Sequence, residues 1–196
     1  MNLSLILPMA AFALAASISP GPVNLVCLSS GTRYPLKRGL IFVTGATLGF
    51  IVLFLAIGMG LYSLMAMVPM LESVLRWAGV AFLLYLSVRL ASDNGHLPDD
   101  DRKAPGFGTG ALMQWLNPKA WLASASGIGA YTSANELDQV LLFAGLYLPI
   151  CWLSLAGWVF AGAFLRQHVQ RPTVLVTINR TLAGLLAASC LYLVVG

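Results

Sequence analysis

The chain has 196 residues, of which 59% are hydrophobic and 9% are charged, and its formal net charge is +4. Soluble domains carry about 25% charged residues, so the composition excludes an ordinary soluble fold. The eleven Lys and Arg residues are scattered between apolar runs rather than gathered on one face, so no nucleic-acid partner is expected. The predicted environment is the lipid bilayer.

The first apolar run imitates a secretory signal peptide, because Ala11-Phe12-Ala13 resembles a cleavage site. However, no Lys or Arg precedes this run, and the run continues past Pro22. We therefore interpret it as the first transmembrane helix.

Six apolar segments are long enough to cross a hydrocarbon core, which takes about 20 residues. This pattern predicts an all-α polytopic membrane protein in a single transporter domain. The predicted helices are Leu3–Ser30, Lys37–Leu64, Pro69–Leu90, Gly106–Tyr131, Leu137–Leu165 and Val174–Val195.

A hydrophilic linker, residues 93–105, separates a first repeat (1–92) from a second repeat (106–196). Each repeat holds three predicted helices, and an odd number of spans inverts the second repeat relative to the first. Inverted repeats are common in secondary transporters, which bind substrate near the midplane between helices interrupted at matching positions. We therefore predict two inverted three-helix repeats.

Basic residues mark the first, third and fifth connections between the predicted helices; examples are Arg33, Arg102 and Arg166. Because Lys and Arg concentrate in short cytoplasmic loops, these connections and the linker are predicted to be cytoplasmic. Both termini are then expected outside the cytoplasm, in a multi-pass protein of a bacterial inner membrane.

Proline motifs interrupt the first helix of each half at corresponding places, Ser19-Pro20-Gly21-Pro22 and Asn117-Pro118-Lys119. Proline lacks an N–H and clashes with the carbonyl four residues back. Three carbonyls are therefore expected to lose their intrahelical partners: those of Ala16, Ile18 and Gln114. Asn117 before Pro118 is typical of an N-cap followed by the first helical residue, and Ser19 before Pro20 is interpreted in the same way.

The two breaks are expected to face each other across a substrate cavity, because broken backbone is tolerated in a membrane only when it is buried in protein or lines a wet cavity. Helix N-termini there attract a carboxylate, while freed carbonyls and amide side chains accept from an ammonium group. A zwitterionic amino acid fits both. The alternative is that the prolines merely kink two helices. The predicted binding residues are Pro20, Gly21, Pro22, Asn24, Gln114, Asn117, Pro118 and Lys119.

Lys119 is the only charged residue placed deep inside a predicted span. A charge at the bilayer centre costs roughly 3 kcal/mol unless it faces a cavity or a partner. With no Asp or Glu at similar depth, the substrate carboxylate is the expected partner. The alternative is that Lys119 binds freed carbonyls across the helix interface.

The cysteines, Cys27, Cys151 and Cys190, lie in three different predicted helices without a paired motif. They are interpreted as small core side chains, which argues against a disulfide, a zinc site and a thiol-disulfide carrier. A metal-ion exporter would need clustered His, Cys or carboxylate ligands in the spans. No catalytic residue, metal or cofactor is predicted, and a non-transporting assembly subunit stays open as an alternative.

The two proline motifs also resemble those of a known family. The run Ile18-Ser19-Pro20-Gly21-Pro22 followed by Gly31, Gly39, Gly45 and Gly49 resembles the N-terminal signature of the lysine exporter (LysE/RhtB) family. The segment Gly106–Gly110 running into Leu116-Asn117-Pro118-Lys119-Ala120 resembles the G-x-x-x-x-x-L-N-P-K-A block of that family. The resemblance covers essentially the whole chain.

This resemblance implies six spans and efflux of amino acids or related metabolites, driven by an ion gradient for which protons are the expected coupling ion. Lysine and arginine exporters of the family place an Asp on the second helix, where this chain has the uncharged run Gly45–Gly49. A cationic side chain would have no counter-charge, so neutral substrates such as homoserine, threonine or leucine are favoured. The glycine-rich helices also favour a homodimer.

Overall fold

The computed structural model describes residues 5–61, 69–92, 104–133, 136–168 and 172–195. These residues form eight helices and no strand, which confirms the all-α class. The helices are α1 (Ile6–Ile18), α2 (Pro22–Arg33), α3 (Leu36–Gly58), α4 (Pro69–Ala91), α5 (Phe107–Trp115), α6 (Pro118–Tyr131), α7 (Leu137–His168) and α8 (Pro172–Val195). Most of the predicted linker, 93–103, lies outside the described residues, as do the predicted helix ends at Leu3 and Leu64.

Several of these helices are suited to a bilayer by length and composition. Two of the described helices are long and apolar enough to cross a bilayer, Leu36–Gly58 and Leu137–Gln167. Together, α1 and α2 are also long and apolar enough to form one span, which is bent by 60° at the break. The helices α4 and α8 contain shorter apolar stretches, Trp77–Ala91 and Thr173–Ala188. Large apolar side chains such as Leu7 are exposed on the outside of the bundle, as expected for lipid-facing positions. The chain is thus a polytopic membrane protein, and the count of six spans stays a prediction.

Both predicted helix breaks are present. The first separates α1 from α2 at residues 19–21, and the second separates α5 from α6 at Leu116 and Asn117. The predicted N-cap at Ser19 is wrong, because Ser19 is the C-cap of α1 while Gly21 precedes α2, with Pro22 at its first turn. Pro22 disfavours helical backbone at the preceding residue, so a helix cannot begin at Pro20 and run through Gly21.

The centre of the bundle is the pair α3 and α7, which pack against each other. Around this pair, α1 and α2 lie along α7, whereas α5 and α6 lie along α3. The remaining helices, α4 and α8, pack together. The two broken helices are therefore held on opposite partners of the central pair.

Near one end of the bundle, helices cross with their backbones in contact at glycines. A Cβ on Gly31 of α2 would overlap the carbonyl oxygen of Val159 on α7, and a Cβ on Gly162 would overlap that of Leu28. The crossing of α3 and α5 repeats the arrangement, with Gly45 facing the carbonyl of Phe107 and Gly110 facing that of Phe42. We call these two contacts the glycine crossings.

Towards the opposite end, rings from α1, α3, α6 and α7 form an aromatic cluster. The closest pair is Phe50 and Tyr147, with centroids 4.6 Å apart, and Phe54 and Phe143 follow at 5.1 Å. The cluster consists of Phe12, Phe50, Phe54, Tyr131, Phe143 and Tyr147. The bundle is therefore filled by side chains at this end and by backbone contacts at the other.

Candidate functional site

A small cavity lies beside the two helix breaks, between the aromatic cluster and the glycine crossings. Its volume is about 40 Å³, which is room for about three water molecules. The lining residues come from both broken helices and from the central pair. They are Ala16, Ser17, Val23, Asn24, Phe50, Gln114, Asn117, Lys119, Ala120, Ala123, Tyr147, Cys151 and Leu155.

Four of the eight predicted binding residues line this cavity: Asn24, Gln114, Asn117 and Lys119. The first three are buried, with 4–5% of their surface exposed. The four others, Pro20, Gly21, Pro22 and Pro118, lie at the breaks but are not among the lining residues. The structure thus brings the predicted amide and lysine side chains together, and their role in binding stays a prediction.

At the first break, the end of α1 depends on side chains for its hydrogen bonds. Pro20 and Pro22 cannot donate, and the chain leaves the helix at Ser19. Three carbonyls of the last turn accept from side chains instead. The pairs are Ser19 Oγ to Ala16 O at 3.1 Å, Asn24 Nδ2 to Ser17 O at 2.9 Å and Trp158 Nε1 to Ile18 O at 3.2 Å.

Lys119 completes this set from the other broken helix. Its Nζ donates a short hydrogen bond to the carbonyl of Ser19 and a longer one, at 3.4 Å, to the carbonyl of Pro20. A cation is favoured at the C-terminal end of a helix, where unpaired carbonyls carry partial negative charge. Of the two roles left open by the sequence, the structure therefore contains the contact with freed carbonyls.

The second break is capped by its own neighbours. The Asn117 side chain accepts from the backbone N–H of Lys119 at 3.2 Å, with Pro118 at the first helical position, which confirms the predicted N-cap. The Gln114 carbonyl, deprived of its partner by Pro118, accepts from the N–H of Asn117 at 3.3 Å. On the same segment, Trp121 Nε1 donates to the Trp115 carbonyl at 2.8 Å.

Several lining residues had no part in the sequence-based site. Ser17, Phe50, Tyr147 and Cys151 all face the cavity, although Cys151 had been interpreted only as a core side chain. On α7, Tyr147 and Cys151 are four residues apart and therefore share one face of the helix, and they flank Pro149. In the sequence, the only indication that Tyr147 and Cys151 line the cavity was their spacing on either side of Pro149, a proline inside an apolar helix.

The cavity offers a simple set of chemical groups. It has one cationic side chain, three carboxamides, and the hydroxyl and thiol groups of Ser17, Tyr147 and Cys151. Among the residues that the structure describes, no group of three or more His, Cys, Asp or Glu could hold a metal ion. The set can donate to a carboxylate and accept from an ammonium group, which are the two charged groups of an amino acid.

The chain is similar to known proteins over most of its length. The profile of the family described as "LysE type translocator" matches residues 14–196. A protein of Salmonella choleraesuis (strain SC-B67) named cysteine/O-acetylserine efflux protein is 27% identical over 168 residues, which cover 82% of this chain and 85% of that protein. No solved structure matches the chain.

Two further relatives carry the same name. The protein of Klebsiella pneumoniae subsp. pneumoniae is 27% identical over 192 residues, covering 94% of both chains. The protein of Escherichia coli O1:K1 / APEC is 23% identical over 175 residues, covering 85% of this chain and 89% of the relative.

Proposed function

The chain belongs to the LysE type translocator family, and from that premise we propose that it exports a small neutral amino acid, or a related metabolite, out of the cytoplasm. The family assignment makes it an amino-acid efflux transporter of the bacterial inner membrane and not an enzyme. The finer points, namely the substrate, the coupling ion and the arrangement of the helices, are proposed below.

The charge of the cavity carries the proposal of a neutral substrate. Lys119 is the one charged residue among the lining residues, and none of them is Asp or Glu. A cationic side chain would bring a second positive charge beside Lys119 with no counter-charge, which is costly in a desolvated site. A neutral amino acid brings equal charges, and cysteine and O-acetylserine, named for the relatives, are of this kind.

We assign roles to the lining residues accordingly. Lys119 and the N–H groups at the starts of α2 and α6 receive the carboxylate. Backbone carbonyls at the breaks and the side-chain oxygens of Asn24, Gln114 and Asn117 are the proposed acceptors for the ammonium group. The motif residues Pro20, Gly21, Pro22 and Pro118 act indirectly, because they end one helix and start the next beside the cavity. The substrate side chain lies against Phe50, Tyr147, Cys151 and Leu155.

Six spans arranged as two inverted repeats are the proposed architecture. In the first half, α1 and α2 pack against α7, and in the second half their counterparts α5 and α6 pack against α3. The two remaining contacts, α3 with α7 and α4 with α8, each join a helix to its own counterpart in the other half. This reciprocity supports the repeat.

Both termini are proposed to lie outside the cytoplasm, so a cysteine added at the C-terminus should react with an impermeant reagent in intact cells. A homodimer is proposed, and native mass measurement in nanodiscs tests it.

Efflux from proteoliposomes tests the proposed substrate class. Vesicles loaded with labelled cysteine, O-acetylserine, homoserine, threonine or leucine should lose at least one of these at about 10 times the rate of protein-free vesicles. Labelled lysine and arginine should leave at the background rate. Export of lysine or arginine at the higher rate would overturn the neutral-substrate proposal, and no export of any amino acid would favour an assembly subunit.

Protons are the proposed coupling ion. In the same vesicles, an imposed pH gradient should drive uptake against a concentration gradient, and a protonophore should abolish it. Replacing sodium by choline serves as the control and should leave transport unchanged. Dependence on sodium in that control would overturn proton coupling.

A further inference from the structure

We propose that the carbonyl oxygens of Ser19 and Pro20 form the binding site for the ammonium group of the substrate, and that the side chain of Lys119 occupies this site when no substrate is bound. The inference rests on the proposed function, since it names where one end of the exported amino acid binds. Among the acceptors proposed above, it singles out the two backbone carbonyls that Lys119 now contacts.

The first observation is the unequal capping of α1. Among the carbonyls from Ala16 to Pro20, the first three accept from uncharged groups held by short or packed side chains. Ser19 and Pro20 accept from a primary ammonium group at the tip of a long, half-buried side chain. The α-ammonium group of an amino acid is the same chemical group, so carbonyls that bind one are able to bind the other.

The second observation is the position of Lys119 between these carbonyls and the cavity. Lys119 lines the cavity, whereas Ser19 and Pro20 do not. Its ammonium group has three donors, and two of them point to the carbonyls. If Lys119 turned away towards the cavity, the two carbonyls would become accessible to a ligand there.

The third observation is the space around Gly21. A Cβ at this position would lie 2.9 Å from Lys119 Cδ and 3.2 Å from Nζ. The backbone of Gly21 is extended, with φ −167° and ψ 176°, which any residue adopts. Glycine is therefore suited to this position by the room that it leaves for the lysine side chain rather than by its backbone conformation.

A charge exchange follows from these three observations. The substrate ammonium replaces the Lys119 ammonium at the carbonyls, and the released Lys119 pairs with the substrate carboxylate. Both substrate groups are attached to one carbon atom, so a single ligand satisfies both partners. A simple amine would displace Lys119 without giving it a partner, and a simple carboxylate would leave the carbonyls unpaired. Only a molecule with both groups makes the exchange favourable.

Thermal unfolding in nanodiscs tests the carbonyl site with ethylammonium and propionate as probes. Lys119→Ala should be stabilised by ethylammonium, with its midpoint raised by about 3 °C at a few times the dissociation constant. The wild type and the control variant Lys37→Ala should not respond to ethylammonium. Stabilisation of Lys119→Ala by propionate instead, or no response of the folded variant to ethylammonium, would overturn the proposal.

A measurement on the wild type covers the case in which Lys119→Ala does not fold. The chain contains three lysines, Lys37, Lys103 and Lys119. In protein labelled with 15N-lysine, the Nζ signal of Lys119 is identified as the one that is lost in Lys119→Met, or the one that remains when Lys37→Arg and Lys103→Arg are combined. This signal should shift on addition of the exported amino acid and not on addition of ethylammonium. An unchanged signal in the presence of a substrate that is demonstrably transported would overturn the exchange. The proposed function fails separately, if no amino acid is exported at all.

Discussion

The two helix breaks are made of similar motifs but are stabilised in different ways. The break at residues 19–21 is capped from other parts of the fold, by Lys119 of α6 and Trp158 of α7 as well as by Asn24 of α2. The break at Leu116 and Asn117 is capped from within its own segment, by Asn117 and Trp121. The first break is held by tertiary contacts in addition to local ones such as Ser19 Oγ to Ala16 O, whereas the side chains that cap the second are all local.

This difference indicates which break can change during transport. The hydrogen bonds that cap the second break lie within the segment formed by α5 and α6. They can therefore stay intact when that segment moves relative to the rest of the bundle. The hydrogen bonds of the first break join the end of α1 to three other helices and have to be exchanged when those helices move. If substrate binds as proposed, the second break is expected to be a fixed start for α6, and the first is expected to be where substrate binding couples to helix movement.

The largest expected effect tests the contact that joins the two breaks. Lys119→Met should lower export by about 10-fold or more, because it removes the charge and keeps the apolar stem. Stability should change little, since loss of the two carbonyl contacts, about 1–3 kcal/mol, opposes the relief of a charge in the membrane, roughly 3 kcal/mol. Efflux and unfolding are measured on the same preparation.

The matched control for this variant is Lys37→Met, which removes an exposed lysine at the start of α3. Its export should equal that of the wild type. Near-normal export by Lys119→Met would mean that Lys119 has only the capping role, and the asymmetry between the breaks would then have no part in transport.

The next effect separates capping from binding at the second break. Asn117→Ala should lose the N-cap of α6 at a cost of about 1 kcal/mol, while Asn117→Ser should retain most of it. Both variants lose the carboxamide that lines the cavity, so both should export more slowly. Equal unfolding midpoints for the two variants would show that the cap does not stabilise this break.

A matched pair of tryptophan variants compares the breaks directly. Trp158→Phe removes the N–H that caps Ile18 at the first break, and Trp121→Phe removes the one that caps Trp115 at the second. Each should cost about 0.5–1.5 kcal/mol of stability. Only Trp158→Phe should also slow export. The expected decrease is about several fold, which corresponds to the free energy of the lost hydrogen bond. Equal transport by both variants would remove the distinction.

The smallest expected effect concerns the room beside Lys119. Gly21→Ala should change stability by less than about 0.5 kcal/mol, because the nearest atoms belong to a flexible side chain. The apparent affinity for substrate should rise by about two- to threefold, because the added methyl group disfavours the carbonyl-bound position of Lys119, from which the substrate has to displace it. Gly129→Ala is the control, because a Cβ there meets nothing within 4 Å. An unchanged affinity for Gly21→Ala would argue against movement of Lys119.

Much of the fold was predictable because the residues that start and end its helices are close in sequence to the helix ends. Apolar runs bounded by Pro, Gly and charged residues located most helix ends to within three residues, and Asn117 before Pro118 identified the start of α6. The predicted end of the second helix at Leu64 is wrong, because α3 ends at Gly58 and Gly60 has a positive φ of 101°. The start of α2 was misplaced at Pro20, because two prolines compete there and Pro22 prevails through its effect on Gly21. That competition is also local, so the sequence contained the answer.

The site was predictable only where the breaks themselves supply its residues. Asn24, Gln114, Asn117 and Lys119 lie within a few positions of a break, and all four line the cavity. Phe50, Tyr147 and Cys151 are far from both breaks in sequence, and only the packing of α3 against α7 brings them there. For Lys119, the substrate carboxylate was the expected partner and freed carbonyls were the alternative; only the tertiary arrangement shows that the carbonyls of Ser19 and Pro20 lie within its reach.

The glycine crossings bear on how much energy is needed to separate the helices at that end of the bundle. Where a glycine faces a carbonyl oxygen, the contact is of the Cα–H···O type, worth about 0.5–1 kcal/mol. The reciprocal contacts at the two crossings therefore amount to about 2–4 kcal/mol, and no side-chain rotamer has to change when they part. A ligand can offset this energy only by its difference in affinity between the closed and open arrangements, and for 2–4 kcal/mol that difference is on the order of 30- to 1,000-fold.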